Sequence, residues 1–154
     1  MKQVYLKVGE SVKRIAIVTD SAASVPPELA REVELEIVPV GIQIDNQFHR
    51  EGLDLSPEEF YAQLEEKENI TTSQPSPGDF LDIYTRLVDR AKEIISIHVT
   101  SRQSGTVQVA RLLKEHIPIP ITVVDSESAS MGQGFAALAA ARAALLGKGR
   151  EEIL

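Results

Sequence analysis

Four short runs rich in β-branched residues punctuate the chain: Ile15–Thr19, Ile37–Ile44, Ile94–Val99 and Ile121–Val124. The first, IAIVT, lacks polar alternation, as expected of a strand covered on both faces in a parallel sheet. Between the runs lie helical patterns with recognisable starts. Pro26 and Pro27 open a short helix through about Val33. Asp45-Asn46 starts a turn, and Gly52 marks irregular backbone. Ser56-Pro57-Glu58-Glu59 supplies a cap, a first-turn proline and a box-closing glutamate, followed by the stripe Phe60, Tyr61, Leu64.

Residues 70–78, ITTSQPSPG, are expected to be loop. Ser76-Pro77-Gly78-Asp79 repeats the cap pattern and predicts a helix to about Ala91, with Phe80, Ile83, Tyr84 and Leu87 facing the core. Further helices are expected over about Thr106–His116 and Gly134–Leu146, the latter stopped by Gly147. Strands alternating with helices predict an α/β fold: a mostly parallel sheet flanked by helices on both faces. The expected division is an N-terminal extension over 1–14, one α/β domain over 15–147, and the start of a further, truncated segment over 148–154. In the extension, Val4–Val8 is expected to add an edge strand.

Composition narrows the function. A chain of 154 residues suits one domain. It has no cysteine, which rules out a disulfide framework or thiolate metal site and fits a reducing, cytoplasmic location. The net charge of −7 argues against nucleic acid as a partner. No run is long enough to span a membrane, and the N-terminus lacks the apolar region of a secretory signal.

In open α/β sheets, ligands bind beyond the carboxyl ends of the strands. Here those loops are rich in small hydroxyl residues: Thr19-Asp20-Ser21, the stretch 100–106, and the stretch 125–130, with Thr71-Thr72-Ser73-Gln74 close in character. Ser104-Gly105-Thr106, opening a helix, is the best candidate anion site, because a helix start offers unsatisfied N–H groups and Gly105 admits close approach. The plainer reading makes each hydroxyl a helix cap. Asp20 and Asp125 each follow a strand and precede a serine. They are read first as residues that tie the next turn, and second as a carboxylate pair for acid–base or metal chemistry. His98 reads as a packed residue; His49 and His116 read as surface. No zinc, Walker or nucleophile-elbow motif is present.

Ile17-Val18-Thr19-Asp20-Ser21, Thr71-Thr72-Ser73-Gln74-Pro75-Ser76, Ser104-Gly105-Thr106, and Val124-Asp125-Ser126 with Ala129-Ser130-Met131-Gly132 together resemble the DegV family. The order and spacing of four motifs carry the resemblance, which covers nearly all of Ile15 to Leu154. It implies a two-domain protein that encloses one long-chain fatty acid and presents it to a fatty-acid kinase. It implies no catalytic residues, metal or cofactor. Carried over by motif, Thr72 and Ser104 are the hydroxyl donors to the carboxylate, with Thr71, Ser73, Ser101 and Gly105 as second choices. The resemblance is to the family's N-terminal domain; the chain is expected to lack the C-terminal one, and Met1–Lys13 to precede the usual start. A chain so truncated is expected to self-associate through the apolar face it exposes. Two alternatives stay open: a small hydrolase or phosphotransferase using Asp20, Asp125 and Ser104, and a non-catalytic protein-interaction module.

Overall fold

The computed structural model describes residues 13–64 and 69–154. The expected strand at Val4–Val8 lies outside the described residues. Four parallel strands form the main sheet: β1 (Lys13–Asp20), β2 (Glu36–Val38), β6 (Ala91–His98) and β7 (Ile121–Asp125), in the order β2-β1-β6-β7. The register sets Ile17 beside Ile95, and Ile97 beside both Thr19 and Val124. Alternation along β1 and β6 then sends two sets of apolar side chains to opposite faces.

On one face Ile15, Ile17, Ile95 and Ile97 pack with α1 (Pro27–Glu32) and α5 (Ser130–Leu145). On the other, Ala16, Val18 and Ile94 pack with α3 (Pro77–Val88) and α4 (Thr106–Leu113). Phe80, Ile83, Tyr84 and Leu87 are the buried side of α3. The α/β architecture read from the alternation of runs and caps is therefore the observed one. A short last helix, α6 (Arg150–Ile153), returns to the first face, where Ile153 packs against the core.

Two expectations change. The run Ile37–Ile44 is two strands in two sheets. β2 ends at Val38, and β3 (Gly41–Ile44) begins a separate antiparallel sheet, between β4 (Gln47–Arg50) and β5 (Ile70–Ser73). Pro39 has no N–H to give a ladder, so the chain leaves the parallel sheet there. Gln47–Arg50 forms β4, joined to β3 across Asp45-Asn46, with Asp45 at a φ of 50°. The expected loop at 70–78 contains a strand, β5 (Ile70–Ser73). Its polar residues are exposed, so it carries little apolar signal, and its pairing with β3 is non-local.

Helix ends also shift. α3 stops at Val88, and Ala91 already belongs to β6. α5 begins at Ser130, four residues before the expected start. The small sheet buries Ile42 and Ile44 with Leu55, against Phe60 of α2 (Pro57–Leu64) and Ile70.

The start of α5 lies close on the turn after β1. A Cβ built on Gly134 would stand 2.6 Å from the Ala23 carbonyl oxygen and 3.1 Å from a Val25 methyl. On Gly132 it would meet only the Ser128 side chain, which can rotate away. Gly134→Ala should therefore destabilise the fold by about 1–3 kcal/mol through overpacking, despite alanine's better helix propensity. Gly132→Ala should be neutral or stabilising. Chemical denaturation of the two variants checks this; equal stabilities would contradict the close backbone approach.

Candidate functional site

β1 and β6 end side by side, and the small antiparallel sheet leans over that edge. Between them lies a cleft of about 620 Å³. Ala22, Val40, Phe48, Val99, Pro75 and Pro77 give it apolar walls. Thr72, Ser73, Gln74, Ser76, Gln103, Ser104 and Gly105 give it polar groups. No side chain lining it is charged.

Two consecutive residues at the end of β1 hold three of the walls. Asp20 Oδ1 accepts from the Ala22 amide at 3.1 Å, and Oδ2 accepts from the Val99 amide at 3.0 Å. Ser21 Oγ accepts from the Val40 amide at 2.8 Å and donates to Glu51 Oε2 at 2.5 Å. The Ser21 links join the parallel sheet to the antiparallel one. Asp20 is fully buried, and its Oδ2 also meets His98 Nδ1 at 2.9 Å.

The same oxygen thus joins the Val99 amide and the His98 ring. Its Nε2 lies 2.6 Å from Ser96 Oγ, and Ser96 Oγ lies 2.8 Å from Tyr84 OH. Burial pushes the Tyr84 phenol up to about 12. Ser96, His98 and Asp20 thus have the connectivity of a nucleophile–base–acid set. All three are buried at 0% exposure, and Ser96 is shared with Tyr84. His98 is packed, as its place in a strand run predicts. Its partner Asp20, 78 residues away, follows only from the register of β1 against β6.

The candidate ligand residues separate by position. Thr72, Ser73, Ser104 and Gly105 all border the cleft. Thr72 and Ser73 are the last two residues of β5, brought there by pairing with Ile42 and Gly41. Ser104 and Gly105 precede α4. Ser104 Oγ accepts from the Thr106 amide at 3.3 Å and lies 2.8 Å from Thr106 Oγ1. Gln74 lies over Gly105, where a Cβ would collide with its amide.

Thr71 and Ser101 do not line the cleft. Thr71 pairs with Gln43 farther along the small sheet. Ser101 is drawn toward β7, its amide 3.2 Å from Asp125 Oδ2. Ser101 and the Glu127 amide hold the Asp125 carboxyl below its ordinary range. Asp125 ties turns, and so does Asp20. Among the described residues no group of acidic, histidine or cysteine side chains is arranged to hold a metal ion.

The sequence model described as "Uncharacterised protein, DegV family" matches residues 14–154. The chain belongs to the DegV family. It is 37% identical over 144 residues to a DegV domain-containing protein of Caldanaerobacter subterraneus subsp. tengcongensis, covering 93% of this chain and 51% of the relative. Among solved structures it resembles DegV of Bacillus subtilis, described as a fatty acid binding protein, with a TM-score of 0.84 and 32% identity; the match covers 92% of this chain and 51% of that one. It also resembles a DegV family protein of Thermus thermophilus, whose structure is described in terms of fatty acid binding. There the TM-score is 0.82 and the identity 33%, over 91% of this chain and 50% of that one. The chain thus spans about half the length of these relatives.

Asp20 links the fold to the cleft. In Asp20→Asn one acceptor becomes a donor facing Ala22 N–H on one side, or Val99 N–H and His98 on the other. The cost should be about 1–3 kcal/mol, the range for a buried hydrogen-bonding group left unmatched. Urea unfolding would measure it, and amide exchange at Ala22 and Val99 should speed up. A variant as stable and as protected as the parent would remove Asp20 from this role.

Proposed function

We propose that the cleft receives the carboxyl end of a long-chain fatty acid, and that the domain carries this ligand without catalysing a reaction on it. The observation that supports the reading is the pairing of apolar walls with uncharged hydroxyl and amide groups at the ends of β5 and α4. A carboxylate needs donors, and a methylene chain needs apolar surface. Thr72 and Ser104 are the principal donors, with Ser73 and the backbone at Gly105 beside them. Thr71 and Ser101 rank lower because both lie outside the cleft lining. The two solved relatives described as binding fatty acid support the ligand class.

The finer proposal is that the loaded domain hands the fatty acid to a fatty-acid kinase. The exposed Phe135, Leu145 and Leu146 are the apolar surface through which the chain would self-associate.

Mass spectrometry of lipid extracted from the purified protein, followed by titration with octadecanoate, tests the reading. Thr72→Ala and Ser104→Ala should each weaken binding by roughly 1.5–3 kcal/mol, the range for a hydrogen bond to a charged group. Thr71→Ala should leave it near the parent value. Unchanged affinity in both Thr72→Ala and Ser104→Ala would move the carboxylate elsewhere. Esterase or phosphatase turnover abolished by Ser104→Ala would replace the carrier reading with an enzymatic one.

A further inference from the structure

We infer that Thr106 is a positioning residue that aims the Ser104 hydroxyl hydrogen into the cleft. The inference rests on the proposed carboxylate site and concerns how one of its donors is oriented. Thr106 is fully buried at the first turn of α4, whereas Ser104 is only partly buried and borders the cleft. Their hydroxyl oxygens are 2.8 Å apart, so one hydrogen lies between them.

The choice of donor follows from what each arrangement leaves over. Among the described residues, the only side-chain or backbone group that meets Thr106 Oγ1 is Ser104 Oγ. If Ser104 donated, the Thr106 hydrogen would be buried without an acceptor, at a cost of about 1–3 kcal/mol. If Thr106 donates, its hydrogen is satisfied. Ser104 Oγ then accepts twice, from the Thr106 hydroxyl and from the Thr106 amide at 3.3 Å. Both lone pairs are occupied, and the Ser104 hydrogen is the one atom left to point outward, into the cleft. Accepting two hydrogen bonds also polarises the Ser104 hydroxyl and strengthens it as a donor. Thr106 therefore never touches the ligand; it fixes the direction and strength of the group that does.

The test is a double-mutant cycle on the whole chain, with octadecanoate as the probe. Thr106→Val keeps the shape and removes the hydroxyl; it should weaken binding about three- to tenfold, the scale of one neutral hydrogen bond. Thr106→Ser should restore most of the loss. In a Ser104→Ala background, Thr106→Val should have no further effect on affinity, because its route to the ligand is gone. Equal losses from Thr106→Val in both backgrounds would show a general structural role and overturn the inference. A second readout needs no ligand. In the parent protein the Thr106 hydroxyl proton should exchange slowly and be visible by NMR, and the Ser104 proton should not. A slowly exchanging Ser104 proton with Thr106 unprotected would reverse the bond and overturn the inference, while leaving the fatty-acid reading standing. Absence of octadecanoate binding by the parent would instead overturn that reading and, with it, the role given to Thr106.

Discussion

Two short side chains at the end of one strand hold the working edge of this domain together. Parallel strands end in unpaired backbone groups, and the chain must turn there without burying unsatisfied amides. Asp20 answers for two of them, on Ala22 and Val99, and Ser21 for a third, on Val40. All three belong to the cleft lining. The same bonds that complete the backbone accounting of β1 and β6 therefore set the positions of the cleft walls.

A buried carboxylate is costly unless its oxygens are matched by donors. Asp20 accepts from two backbone amides and meets the His98 ring, and the chain of bonds continues through Ser96 to Tyr84 on α3. The result is a polar column running from the cleft edge into one helical layer. It passes beside the aromatic contact of Phe80 with Tyr84 and with His98. Polar networks of this kind are stabilising only when every member is satisfied. That makes the column an all-or-none support for the cleft edge.

Much of the fold was legible because the decisive signals are local. The run IAIVT and the Ser-Pro starts at Ser56 and Ser76 specify their elements without reference to the rest of the chain. Both caps form, with Ser56 Oγ accepting from Glu59 and Ser76 Oγ from Asp79. The elements that escaped are those whose existence depends on a distant partner. β5 is polar and exposed, and it is a strand only because β3 lies beside it. The run through Ile37–Ile44 looked continuous because its hydrophobicity is continuous; Pro39 was the local sign that it had to break. At the site, the motif residues Thr72 and Ser104 lie on one cleft. Thr71 and Ser101, which look equivalent in sequence, do not. Strand pairing explains the first difference and the claim of Asp125 on the Ser101 amide explains the second.

The cleft's chemistry follows from this division of labour. Charged groups near it are already engaged: Asp20 with backbone and His98, Glu51 with Ser21, Asp79 with Ser76, and Arg50 with Asp54. What faces the cleft is neutral. A head group held there is matched by hydroxyls, amides and the start of α4, which direct it without a full opposing charge. Such donors replace what water offered, so each adds only part of its gross strength, about 1.5–3 kcal/mol toward a charged head group, while fixing its orientation. The apolar walls add about 0.8 kcal/mol for each methylene removed from water. A site built this way reads the tail through the methylenes it buries and the head group through the donors it orients. On that argument, the placement of individual hydrogens on Thr72 and Ser104 matters more to recognition than any charge nearby.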